Sequence, residues 1–292
     1  MTSWYVGTSP SPVSLKYFDS IHIGDPITYP NGTAVCNKSD IFLRNFTEYA
    51  HSQNIDVLWG SGINIREALF VKPSMQDNYI QSIGEAMKQC NIDGLEVDYE
   101  WSDTQWGKLG IVTPEQSTKY TMFLSNIKKA TGCIMVADVS IWGYKKGLYL
   151  LGFFPWINVT MLNRGDIDYI NTMSYHWAVD GDLGAWKKDA FFLHDIWGID
   201  KKRVNIGIPY FSRNHSSEPC WRGLSKKCPN ISAHLNECDG VVFVGKQMNY
   251  DLGEWLKKEG WKGAFPWALT YDSVDQSLIK WLYAGFYNLS II

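Results

Sequence analysis

No stretch of this chain reaches the roughly 18 consecutive apolar residues that a membrane-spanning helix requires. The longest candidate, Leu148 to Ile157, is about ten residues long and carries Gly152 and Pro155, too short and too broken to cross a bilayer. Runs of five or six Lys or Arg are missing, and the formal net charge is −3. A phosphate backbone would find no dense positive face to replace its counterions, which disfavours nucleic-acid binding. The six cysteines show no Cys-x-x-Cys spacing, so neither a zinc site nor a thioredoxin-type pair is indicated. No Gly-x-Gly-x-x-Gly turn follows an early strand, which argues against a dinucleotide site. The histidines form no Ser-His-Asp or Cys-His order, so nucleophilic hydrolase chemistry is not favoured. There is no internal repeat and no Pro/Gly/Ser linker that would cut the chain. The first residues, Met-Thr-Ser-Trp-Tyr-Val-Gly, have neither a basic start nor an apolar run and are not a signal peptide.

What is present describes a folded core: 292 residues, 45% hydrophobic and 20% charged, with 15% aromatic. That length fits two average domains or one α/β barrel, and one large domain over 1–292 is the working choice. Seven Asn-x-Ser/Thr sequons stand at Asn31, Asn37, Asn45, Asn158, Asn214, Asn230 and Asn288. Such sequons mark glycosylated surface in secretory proteins, so the chain reads as a secreted or lysosomal glycoprotein whose leader is missing from this sequence. Cys220, Cys228 and Cys238 crowd into one segment, next to the more scattered Cys36, Cys90 and Cys133. A disulfide-stapled loop in an oxidising compartment is the preferred reading, with at least one bond among those three; buried free thiols are the alternative, and six cysteines allow 15 connectivities.

Short apolar runs alternate with longer amphipathic ones, the pattern of β/α units around a parallel sheet. Strands are expected at 4–7, 20–24, 56–60, 94–100, 133–140, 169–175, 204–209 and 264–269. Helices are expected at 39–53, 75–90, 114–130, 185–197, 246–258 and 274–287, with a weaker one after Ser140. Eight strands with intervening helices predict a (β/α)8 TIM barrel. The one sizeable break in the rhythm, 211–244, is a short cysteine-containing insertion between strands seven and eight, at the C-terminal mouth where active-site loops belong.

The segment Asp93-Gly94-Leu95-Glu96-Val97-Asp98-Tyr99-Glu100 carries the most chemistry. Strand parity puts Glu96, Asp98 and Glu100 on one face and Leu95, Val97 and Tyr99 on the other. With the apolar face against the helices, three carboxylates point into the barrel, where they cannot all ionise, so at least one proton is shared. A neutral acid beside a carboxylate is what cleavage of a glycosidic bond requires. A solvated edge strand, a salt-bridged structural cluster and a metal site are the rival readings; no neighbouring His stands at ligand spacing for the last. Aromatics add to the picture. Trp59, Trp101, Trp142, Trp177 and Trp267 lie at or just beyond expected C-terminal strand ends, whereas Trp186, Trp197, Trp255 and Trp281 sit on helices and read as core.

The acidic segment resembles the Asp-Gly-x-Asp-x-Asp-x-Glu signature of glycoside hydrolase family 18, the chitinases and their lectin relatives. Met173-Ser174-Tyr175 is similar to the family's Met-x-Tyr-Asp on strand six, Gly207-Ile208-Pro209-Tyr210 to its Gly-x-Pro-x-Tyr on strand seven, and Trp267 to the Trp closing strand eight. Val57 to Gly62 loosely resembles its third-strand Ser-x-Gly-Gly region, so the likeness runs from about Trp4 to Tyr287. The resemblance implies a single catalytic barrel without cofactor or metal. Glu100 would protonate the leaving oxygen while the substrate's own 2-acetamido oxygen attacks the anomeric carbon, giving an oxazolinium ion and net retention. Asp98 would orient the acetamide, Tyr175 would hold its carbonyl, and Glu96 would share the proton that lets Asp98 change charge. Met173, His176, Tyr210, Trp101, Trp177 and Trp267 would line the sugar site, with Trp267 as its floor.

Two positions depart from the family: Glu96 stands where Asp is usual, and His176 where the strand-six motif ends in Asp. Two readings follow. One is a monomeric, retaining, chitinase-like glycosidase of the endo-β-N-acetylglucosaminidase type, acting on β-1,4-linked N-acetylglucosamine in chitin oligomers or the N-glycan chitobiose core. The other is a chitinase-like lectin that binds such oligosaccharides with little turnover. Retention of Asp98 and Glu100 favours the first; Glu96 and His176 favour the second.

Overall fold

The computed structural model describes residues 1–4, 14–60, 72–99, 113–140, 156–177, 183–212 and 220–290. Eight parallel strands form one sheet: β1 Thr2–Trp4, β2 Ser20–His22, β5 Asp56–Gly60, β6 Gly94–Val97, β7 Ile134–Val139, β8 Tyr169–Thr172, β9 Val204–Pro209 and β12 Gly263–Trp267. They lie side by side in chain order, and Ser3 Oγ donates to Pro266 O at 2.6 Å between the first and last, nearly closing a (β/α)8 barrel. Seven of the eight begin within one residue of the expected start. The first falls earlier than expected, and residues 5–7 of that expected strand lie outside the described residues. A hairpin of β3 Ile27–Thr28 and β4 Ala34–Val35 follows β2 and was not anticipated.

The outer ring contains α1 Ile41–Ser52, α2 Pro73–Cys90, α3 Pro114–Thr131, α4 Val159–Arg164, α5 Gly184–Phe191, α7 Lys246–Glu259 and α8 Ser277–Tyr287. Local chemistry sets their ends. Asp40 caps α1 by accepting from Leu43 N, and Thr113 with Gln116 forms a reciprocal capping box at α3. Helix α5 continues as a wider π-type turn over Phe192–Ile196, so the expected helix at 185–197 is present in two pieces. Outward residues of the strands, such as Leu95, Val97, Met135, Ala137, Ile170, Ile206 and Ile208, merge with helix side chains into one core. Inside the barrel, Leu58, Val136 and Tyr169 form a separate apolar cluster.

The insertion between the seventh and eighth barrel strands carries helix α6 Trp221–Lys227 and a small hairpin, β10 Glu237–Cys238 with β11 Val241–Val242. Trp221 anchors it: the indole packs on Phe243 at 4.8 Å and donates to Ser277 Oγ at the start of α8 at 2.9 Å. A disulfide joins Cys228 to Cys238, within the crowded segment as expected, and a second joins Cys36 to Cys90. Cys133 and Cys220 remain thiols.

Candidate active site

Strand β6 delivers the acidic motif. Gly94 can start it because the chain passes so close that an added Cβ would lie 2.2 Å from Ile134 O. Asp93 works below the barrel: its Oδ2 accepts from Val57 N at 2.7 Å and pairs with His51 Nε2 at 2.8 Å, locking β5 to β6. Parity then holds as read. Leu95, Val97 and Tyr99 are buried on the helix side, with Tyr99 against Tyr120 at 5.8 Å, while Glu96 is fully buried inside the barrel. Asp98, just past the strand end, is half-buried. Glu100 and Trp101 lie outside the described residues.

Glu96 sits in a polar network drawn from five other strands. Its Oε1 meets His22 Nδ1 at 2.8 Å and Asn171 Nδ2 at 3.0 Å, and the Asn171 carbonyl receives Asn205 Nδ2 at 3.0 Å. A side-chain hydrogen bond also joins Glu96 to Asp138 on β7. On the far side of the imidazole, His22 Nε2 contacts Thr2 Oγ1 at 2.5 Å, which receives Ser20 Oγ at 2.9 Å; Ser20 in turn reaches Tyr169 OH at 3.3 Å. Burial pushes His22 down to about 3, so the imidazole is neutral and the approach of its Nδ1 to Glu96 is not an ion pair. Burial likewise raises Glu96 far above the ordinary carboxylate range, and the charge of Asp98 adds to the rise. Asp138 is raised by burial and by the charges of Glu96 and Asp98. The motif carboxyl expected to share a proton therefore has an acidic partner on another strand, Asp138. The extra methylene of Glu96 fits because it reaches across to His22, Asn171 and Asp138.

The motif reading missed His22, Asp138, Asn171 and Asn205. Each occupies an inward parity position in its strand, and the register sets Asp138, Asn171 and Asn205 abreast across β7, β8 and β9. That alternation was the available signal.

Above this network lies an aromatic group. Phe265 on β12 stands 5.7 Å from His22 and 6.2 Å from Tyr175, which follows β8 on a 3₁₀ turn, Ser174–Trp177. Tyr175 also neighbours Phe211 at 6.0 Å and Trp267 at 6.4 Å. Glycine at 207 makes room for it: a Cβ there would stand 2.0 Å from Thr172 O and 2.7 Å from Tyr175 Cε1. Trp267 is half-buried, and Met173 and Tyr175 are nearly closed off. Tyr210 departs from the expectation of a sugar contact: the alternation of β9 turns it to the helix side, where it is 2% exposed and part of the main core. The side chains of His176 and Trp177 lie outside the described residues. Among the described residues, the one set of candidate metal ligands within reach of a common ion is Cys228, Cys238 and Asp239, and its two sulfurs are bonded to each other.

No family model matches the chain. A curated endochitinase from Manduca sexta is 22% identical over 70% of this chain, which spans about a third, 35%, of that protein's length. Among solved structures, a chitinase from Bacteroides thetaiotaomicron superposes with a TM-score of 0.76 at 18% identity, covering 97% of this chain and 95% of its own. Catalytic domain 2 of a Group II chitinase from Ostrinia furnacalis gives 0.73 at 14%, covering 100% and 97%. A chitinase-like agglutinin from Robinia pseudoacacia gives 0.72 at 13%, covering 98% and 99%. The chain thus has the barrel fold of the chitinases, a fold that hydrolases and a lectin-like protein share.

Proposed function

We propose that the protein is a family 18-type glycosidase that cleaves β-1,4-linked N-acetylglucosamine with retention. The observation that carries the reading is the half-buried Asp98 standing at the end of β6, directly above a fully buried, proton-holding Glu96. In this mechanism Glu100 donates its proton to the leaving oxygen. The substrate's acetamido oxygen then attacks the anomeric carbon, and anionic Asp98 orients the acetamide and offsets the charge growing on its nitrogen. Tyr175 holds the acetamide carbonyl, and the half-buried Trp267 indole supplies an apolar plane for the sugar ring. Glu96 works through Asp98, since its burial bars it from the sugar. Trp101, Trp177, Met173 and His176 complete the proposed lining.

Incubation with N-acetylglucosamine oligomers of increasing length, with products resolved by size and anomer, tests this directly. Retained β-anomers of shortened oligomers support it; intact oligomers at every length would refute it. A lectin reading has its own support in the agglutinin neighbour and in the Glu96 and His176 departures, and it predicts binding of the same oligomers without products. Two disulfides fit an oxidising, extracellular setting, so a secreted chitin-binding glycoprotein is the proposed context; nothing in the fold speaks for the lysosome.

A further inference from the structure

Strand β7 contributes a carboxyl group that no motif pointed to. Asp138 is 1% exposed and hydrogen-bonds through its side chain to Glu96 and Asn171. Asn171 Nδ2 donates to Glu96 Oε1, and His22 Nδ1 approaches that same oxygen. Glu96 Oε2 and Asp138 Oδ1, both fully buried, receive no N–H or O–H from any other described residue. Two ionised carboxylates are acceptors only and cannot bond to each other, so a proton must lie between these side chains.

Resting on the hydrolase reading above, we propose that Asp138 is a positioning residue: by sharing a proton with Glu96 it turns that carboxyl toward β7 and prevents the pair from carrying two charges, which leaves Asp98 as the carboxyl that ionises for catalysis. The physical reason is like-charge repulsion in a dry interior. A second anion beneath Asp98 would oppose its ionisation, and Asp98 must be anionic when the acetamide nitrogen becomes positive. Among the described residues, the other ionisable groups acting on the pair are few. Neutral His22 faces it from β2 and Asp25 acts from just beyond that strand; Tyr169 faces it from β8, and Tyr120 is coupled to both carboxyls through the barrel wall. None of them is a cation that could replace the shared proton.

The test is Asp138→Asn, which keeps the shape and offers Glu96 an N–H in place of the proton, with Glu96→Gln as the second variant. In Asp138→Asn, Glu96 receives N–H donors only and ionises. The new anion then raises Asp98, and the acid limb of kcat/KM moves up by about one pH unit while KM stays within a few-fold. A merely structural role would lower stability or kcat without moving that limb. Infrared difference spectra provide a readout that needs no turnover: at pH 7, wild type minus Asp138→Asn and wild type minus Glu96→Gln should each show a neutral-carboxylic-acid carbonyl band, while protonated acids elsewhere such as Glu100 cancel. This readout decides where the proton lies even in a protein that binds sugar without cleaving it, so failure of the hydrolase reading and failure of the Asp138 assignment are distinguishable. An acid limb unmoved in Asp138→Asn, or a wild-type-minus-Asp138→Asn spectrum without a neutral-acid band at pH 7, would overturn the proposal.

Discussion

His22 offers the sharpest test of the buried network, because it is fully enclosed and its depressed pKa has burial as its single cause. The folded protein holds the imidazole neutral down to about pH 3, whereas the unfolded chain takes up a proton near 6.5. The unfolded state therefore binds more protons between these two values, so stability is retained above 6.5 and lost as pH falls toward 3. At about 1.4 kcal/mol per pH unit, the loss from pH 6.5 to 5 is about 2 kcal/mol. Glu96 and Asp138 pull the other way, since their raised pKa values give a contribution that is present at low pH and fades as pH rises. The comparison is therefore with His22→Gln, which keeps both carboxyls and an amide donor but cannot titrate. Urea unfolding of both proteins from pH 7 to pH 5 should show the wild-type advantage shrinking by about 2 kcal/mol, the amount worked out above. A wild-type-minus-variant difference constant across that range, or an NMR titration of the His22 ring with a midpoint near 6.5, would refute the reasoning.

Four further outcomes are expected. Glu100→Gln should lower hydrolysis by about 10²- to 10⁴-fold while oligosaccharide affinity stays within a few-fold, measured by turnover and calorimetry on one oligomer. Gly207→Ala forces a methyl against Thr172 O and Tyr175 Cε1, and should cost about 1–3 kcal/mol in urea unfolding together with a drop in kcat as Tyr175 is displaced. Replacing Cys36 and Cys90 by Ser should destabilise by about 4 kcal/mol, against about 3 kcal/mol for the Cys228–Cys238 pair; the first bond closes a sequence separation of 54 and the second one of 10. Expressed with a secretory leader in a glycosylating host, the protein should carry N-glycans at the exposed Asn31, Asn37, Asn230 and Asn288 and none at Asn158. The Asn158 side chain caps α4 through Met161 N and donates to Thr118 Oγ1 at 2.9 Å, and peptide mapping by mass spectrometry would read the occupancy.

The periodicities in the sequence determined the barrel. Parallel strands buried on both faces read as short Val/Ile/Leu-rich runs, and helices with one buried side read at a spacing of 3.6, so seven strand starts emerged within one residue. Parity alone turned Glu96 inward and Leu95, Val97 and Tyr99 outward, since that alternation belongs to the backbone itself. Carried three strands further to β9, the same rule places Tyr210 outside the barrel, where resemblance to a motif had suggested a sugar contact. Cysteine crowding was enough to anticipate a bond within 220–238, but not that Cys220 would stay a thiol or that Cys36 would find Cys90 across 54 residues. The partners of the buried acid were the tertiary structure's to decide. Thr2, His22, Asp138, Asn171 and Asn205 are scattered over some 200 positions with no common spacing, and only strand register and barrel closure bring them together around Glu96. Burial there, a property of the packed interior and not of any residue type, is what keeps His22 neutral and the carboxyls protonated.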